Sequence, residues 1–173
     1  MIDLGKDIIS MEEVVLSLGS NMGDRAANLS GALRRLEESG LERVVVSQVY
    51  ETEPWGFSAE TSFYNMVAVY RTLLEPASLM ELISGIEASM GRVRSFGAEG
   101  YESRVIDIDI LFYGDRFINE GGLVIPHPRI SERRFVLEPL AELMPGRIHP
   151  VEGKSIQTML SDCSDEMHVK III

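Results

Sequence analysis

Arg104-Val105-Ile106-Asp107-Ile108-Asp109-Ile110-Leu111 alternates branched apolar residues with charged ones at period two, the mark of a half-buried β-strand. That period puts Ile106, Ile108 and Ile110 on one face and Val105, Asp107 and Asp109 on the other. Carboxylates two positions apart on a strand have Cα atoms roughly 6.5–7 Å apart. Side by side and partly shielded, they repel, and at least one pKa rises. A hard divalent cation relieves that conflict, and oxygen ligands suit Mg²⁺ or Mn²⁺. An Asp pair can serve two such ions roughly 3.5–4 Å apart, the spacing used in phosphoryl chemistry. Arg104 supplies a fixed cation for a phosphate. A half-exposed edge strand with solvated aspartates would read the same way, so the strand alone does not decide.

Outward from it, Val14 to Gly19 is a first strand, closed by the turn residues Gly19-Ser20-Asn21-Met22-Gly23. Asp24 is placed to cap a helix whose Leu29, Leu33 and Leu36 share a face, ending near Ser39-Gly40. Arg43 to Tyr50 and Phe63 to Thr72 read as strands. Pro76 opens a helix with Leu79, Leu82, Ile83 and Ile86 facing a core and Met90-Gly91 at its end. After the Asp strand a hairpin is expected through Tyr113-Gly114-Asp115 toward Phe117-Ile118, then a helix near Ser131 to Leu140. A short helix and a last strand, Val169 to Ile173, are expected in the tail from Ser155. The order β-α-β-β-α-β is that of a ferredoxin-like α+β unit with additional C-terminal elements. Residues 1–10 read as an extension and 11–173 as one domain, a size that buries a proper core.

The net charge of −11 argues against nucleic-acid or anionic-membrane partners. No apolar run reaches the roughly 18–20 residues of a membrane span. The one cysteine, Cys163, excludes an internal disulfide and, with no signal-peptide pattern, points to the cytoplasm. Seven of the 16 basic residues are arginines between Arg92 and Arg134, a window without lysine. In so acidic a chain, a local set of planar forks suggests a small polyphosphate ligand, the alternative being surface arginines paired with the many acids.

Several segments together resemble the 6-hydroxymethyl-7,8-dihydropterin pyrophosphokinase family. They are Leu18-Gly19-Ser20-Asn21-Met22-Gly23-Asp24, Tyr50-Glu51-Thr52-Glu53-Pro54-Trp55-Gly56, Phe63-Tyr64-Asn65, Ile86-Glu87 with Gly91-Arg92-Val93-Arg94, the Asp strand, and Ile125-Pro126-His127-Pro128-Arg129. They follow the family order from about Val14 to Pro150. The resemblance implies a monomeric ferredoxin-like enzyme moving diphosphate from ATP to 6-hydroxymethyl-7,8-dihydropterin in folate biosynthesis, with two Mg²⁺ ions on Asp107 and Asp109. It implies catalytic phosphate contacts from Arg92 and Arg104, and ATP contacts from Glu87, Ile108, His127 and Arg133. Pterin contacts fall to Thr52, Trp55, Phe63, Asn65 and Phe135.

Departures from the family pattern are local. Gly100 stands where a basic residue is frequent, so a phosphate contact there would pass to Arg94 or Arg129. The loop between Arg94 and Arg104 is slightly longer than usual and, with Gly97 and Gly100 in it, is expected to act as a lid over ATP. Glu53 replaces a common proline, which is expected to alter the stiffness of the pterin loop, and Arg134 replaces a small residue, its role open. A Mg²⁺-dependent nucleotidyl transferase would carry the same Asp pair but release pyrophosphate instead of AMP. A non-catalytic pterin- or nucleotide-binding module would be expected to lack one of the two carboxylates.

Overall fold

Strand β1 (Glu12–Ser20) lies inside the main sheet, antiparallel to β4 (Phe63–Thr72) on one side and to β5 (Asp107–Tyr113) on the other. This is a computed structural model, and residues 10–54, 61–92 and 103–172 are described. Outside them lie most of the expected N-terminal extension, Trp55, Arg94 and the expected lid loop as far as Glu102.

The far edge of β4 pairs with β2 (Glu42–Val46) and β3 (Tyr50–Thr52), and β8 (Val169–Ile171) adds to β3. Helix α1 (Arg25–Glu38) connects β1 to β2, and α2 (Pro76–Ser89) connects β4 to β5. The order β5-β1-β4-β3 is the antiparallel sheet of a ferredoxin-like βαββαβ unit.

Each face of the sheet has its own core. Val14, Leu16, Leu18 and Tyr70 pack under α1 and α2, while Val15, Val67, Val69 and Phe112 pack under α3 (Arg134–Leu143) and α4 (Ile156–Asp162). The C-terminal elements thus cover a sheet face that the βαββαβ unit leaves open.

Both helices of the first layer end as their sequences dictate. Asp24 accepts from the Ala27 amide at 3.0 Å, and Gly40 takes φ +92° so that Leu41 N–H reaches back to Leu36 O. Gly91, at φ +95°, does the same for α2, sending Arg92 N–H back to Glu87 O at 3.0 Å.

Four expectations are corrected. The strand expected over Arg43 to Tyr50 is two, β2 and β3, because Ser47 replaces a ladder partner: its hydroxyl accepts from Val67 N–H at 2.9 Å. The Asp strand begins at Asp107 and runs on to Tyr113, since Asn21 holds the backbone of Arg104 instead. The expected β5 hairpin does not form; β6 (Ile118–Glu120) pairs with β7 (Leu123–Ile125) around Gly121-Gly122. The helix expected from Ser131 starts at Arg134, after turns in which Arg133 N–H donates to Ile130 O.

Candidate functional site

The sheet face beneath α3 changes character along its strands. Val15, Val67 and Phe112 form core, but one or two pleats on, the same face carries Ser17, Gly19, Asn65, Asp109 and Asp107. In register, Asn65, Gly19 and Asp107 make one row across three strands, and Val67, Ser17 and Asp109 the next. A cavity of about 420 Å³ opens over these polar rows, bounded by the end of α2, His127 and the start of α3. All twelve described residues expected at the site line it: Thr52, Phe63, Asn65, Glu87, Arg92, Arg104, Asp107, Ile108, Asp109, His127, Arg133 and Phe135.

The charged half is ordered by an ion-pair network. Arg92 donates to Glu87 and, at 2.6 Å, to Asp107 Oδ1, while Arg104 donates to Asp107 Oδ2. The reversal at Gly91 aims Arg92 this way, turning it back over the last turn of α2. Glu87 is 2% exposed, and its Oε1 also accepts from Ile108 N–H at 2.8 Å. It thereby joins α2 to the Asp strand, which makes it a positioning group in this arrangement.

Asp109 is held more loosely, with Arg133 Nη1 at 3.6 Å and His127 Nε2 at 3.9 Å. Its side chain is 37% exposed and lines the cavity. Burial and the neighbouring Asp107 charge push its pKa up to about 6, against the pull of Arg133. His127 is pushed down to about 4 by burial and by Arg133 and Arg129. Its Nδ1 accepts from the Arg129 amide at 3.1 Å, so the proton of the neutral ring sits on Nε2, facing the cavity carboxylate.

The other half of the cavity is suited to a flat, hydrogen-bonding ligand. Phe63 and Phe135 supply apolar faces, and Asn65 is buried, donating from Nδ2 to Thr52 Oγ1 at 2.8 Å. Gly19 makes room for it: a Cβ there would meet Asn65 Oδ1 at 3.0 Å.

Asp107 and Asp109 offer oxygen donors that fit Mg²⁺. Among the described residues no group of three or more His, Cys, Asp or Glu side chains could hold a metal. A pair of carboxylates suits an ion that completes its shell with substrate phosphates and water.

Of the arginine window, Arg92, Arg104 and Arg133 converge on the cavity, whereas Arg116 pairs with Glu75 and Arg134 with Glu138 on the surface. The sequence reading missed Asn21. It is 1% exposed, its Oδ1 accepts from Arg104 N–H at 2.6 Å, its Nδ2 donates to Ser103 Oγ, and its carbonyl accepts from Thr61 Oγ1. Nothing in the sequence marked it, since an asparagine between Ser20 and Met22-Gly23 reads as an ordinary turn residue. Ser17, Gly19, Met80 and Ile83 also line the cavity without having been singled out for it.

Residues 15–145 match the sequence profile of the family described as 7,8-dihydro-6-hydroxymethylpterin-pyrophosphokinase. The 2-amino-4-hydroxy-6-hydroxymethyldihydropteridine pyrophosphokinase of Methylorubrum extorquens is 40% identical over 152 residues, covering 87% of this chain and 93% of that protein. Its namesake in Aquifex aeolicus is 40% identical over 147 residues, covering 85% and 89%. The folic acid synthesis protein fol1 of Pneumocystis carinii is 38% identical over 91% of this chain, which spans only 21% of that protein. A crystal structure of Plasmodium falciparum HPPK-DHPS superposes with a TM-score of 0.70 at 19% identity, over 88% of this chain and 45% of that one, a likeness of fold.

Proposed function

Since the chain belongs to the 7,8-dihydro-6-hydroxymethylpterin-pyrophosphokinase family, we propose that it moves the diphosphate of ATP onto 6-hydroxymethyl-7,8-dihydropterin, in folate synthesis. A bond forms between the hydroxymethyl oxygen and the β-phosphorus. The bond from that phosphorus to the oxygen shared with the α-phosphate breaks, AMP leaves and a proton goes to solvent. Such a transfer depends on positioning and on charge stabilisation more than on covalent help from the protein.

The roles divide along the cavity. Asn65, with Thr52 and the Phe63 and Phe135 faces, holds the pterin, and Trp55 belongs to the same group in our reading. Arg92 and Arg104 take the phosphates, exchanging part of their hold on Asp107 for phosphate oxygens of the same charge. Neutral His127 donates from Nε2 to a phosphate oxygen, and Arg133 neutralises another. Asp107 and Asp109 would hold two Mg²⁺ ions, which when bound neutralise the triphosphate and polarise the phosphorus under attack. Glu87 and the Ile108 backbone border the nucleotide and keep α2 against the Asp strand.

The observation that carries this reading is the meeting, in one cavity, of an Asp pair flanked by arginines with a buried amide between aromatic faces. The test is an endpoint assay with ATP, Mg²⁺ and the reduced pterin, separating AMP, ADP and pyrophosphate. AMP formed only with the pterin present is the expected result. Pyrophosphate in place of AMP would move the chain to nucleotidyl transfer.

A further inference from the structure

Arg134 stands between two cavity residues, Arg133 and Phe135, yet its own side chain points to the C-terminal tail. Its Nε donates to Asp165 O at 2.7 Å, and its amide donates to Asp165 Oδ2 at 3.1 Å. Helix α3 has no cap from its own N-cap residue, Arg133, so a carboxylate 31 positions further along the chain does that work. Asp165 is fixed in turn, accepting from Met167 N–H at 3.0 Å through Oδ1.

A few residues later the same tail forms β8 and pairs with β3, setting Val169 opposite Thr52 and Ile171 opposite Tyr50. Ile172 N–H extends the ladder by donating to Val49 O. Thr52 is the hydrogen-bond partner of Asn65 in the cavity. The tail therefore grips the aromatic half of the cavity twice, at the start of α3 beside Phe135 and along β3 at Thr52. Both grips lie beyond residue 145, where the family match stops. Among the described residues the tail pairs with no strand of the phosphate half.

We propose that the C-terminal segment from Asp165 to Ile171 is a clamp that sets the width of the pterin recess, with Asp165 as its positioning residue. The proposal rests on the functional reading above. With the cap in place, the first turn of α3 is fixed and Phe135 keeps its distance from Asn65. Without it, the Arg134 N–H at the head of the helix loses its acceptor and the turn frays where the ring is attached.

The experiment compares Asp165→Ala and Asp165→Asn with the wild-type chain in steady-state kinetics, varying pterin and ATP separately, with thermal unfolding in parallel. Asp165→Ala should raise the pterin KM about fivefold, the factor that corresponds to the loss of a cap worth roughly 1 kcal/mol, with the ATP KM moved less than about twofold. Asp165→Asn keeps one accepting oxygen, enough for the Arg134 amide but not for Met167 N–H as well, and should reverse part of the rise in pterin KM while lacking the charge. An unchanged pterin KM in active Asp165→Ala, an equal rise in both KM values, or failure of Asp165→Asn to rescue would each overturn the clamp alone. A wild-type chain that releases no AMP with the pterin would overturn the functional reading and the clamp with it.

Discussion

Asp109 shows what a single buried carboxylate costs the fold. Its carboxyl, pushed up to about 6 from an ordinary 3.8, favours the folded state only while protonated. That contribution is complete below pH 4 and is lost as the pH rises through 6, so at neutral pH the ionised group is a local liability. Asp109→Asn should therefore unfold at a higher temperature than wild type at pH 8 and at nearly the same temperature at pH 4. AMP release should fall about 10²–10³-fold. Calorimetry and the endpoint assay read the two effects separately; equal unfolding temperatures at pH 8 would refute the buried-charge account. Asn21 is the opposite case, a side chain that touches no expected ligand but fixes the backbone from which Arg104 projects. Asn21→Ala should lower kcat about tenfold to a hundredfold with little change in pterin KM, since a misplaced phosphate cation costs rate before it costs pterin binding. A pterin KM that rises as much as kcat falls would argue for a direct contact. The Asp pair was legible because a charged residue on a strand of isoleucines demands a reason. Asn21 was not, because in sequence a buried turn amide looks like any turn residue.

At the scale of elements, the way a helix ends decides where an arginine goes. Gly91 has φ +95°, and the reversal it permits lays Arg92 over Glu87 and Asp107. An alanine there would meet no atom within 4 Å, so crowding is absent and the cost is purely conformational, roughly 1–2 kcal/mol. Gly91→Ala should lower stability by about that amount in a denaturant titration, and should raise the ATP KM by displacing Arg92. An unaltered ATP KM at reduced stability would confine the glycine to a structural role. Helix ends were readable in advance because Ser39-Gly40 and Met90-Gly91 carry their own chemistry. Strand β5 was readable only in part. Opposite Val15 and Leu16 the register skips Leu111, a bulge that turns Leu111 and Phe112 to the same core and Tyr113 to the other. Leu111-Phe112-Tyr113 is apolar throughout, so no alternation marked where the pleat breaks. The unformed β5 hairpin has a similar origin, since Gly114 turns the chain but Gly121-Gly122 joins the strands that pair.

Across the whole molecule, the two sheet faces were unequally visible. The layer of α1 and α2 follows from leucine spacing, whereas the second layer depends on a tail whose sequence gives no hint of where it docks. That layer is pinned to the sheet around His149, which is 6% exposed and stacks edge-on against Phe112 with centroids 5.5 Å apart. Its Nδ1 accepts from Val151 N–H at 3.3 Å and Glu152 N–H at 3.1 Å, so the turn before α4 requires an unprotonated nitrogen. Burial accordingly lowers the pKa below its usual 6.5, with Arg147 adding to the effect. The unfolded chain then binds a proton below pH 6.5 that the folded chain refuses. The stabilisation is present above that pH and is lost as the pH falls toward the folded value. His127, also lowered, adds a loss of the same sign, while Asp109 works in the other direction. A variant that keeps the acceptor but cannot titrate isolates the histidine: Asn at 149 can offer Oδ1 to the same two amides. His149→Asn should unfold within a few degrees of wild type at pH 8 and lose less stability between pH 7 and 5. Parallel curves for the two proteins across that range would show that the turn tolerates a charged ring, and that the second layer is held by its apolar contacts alone.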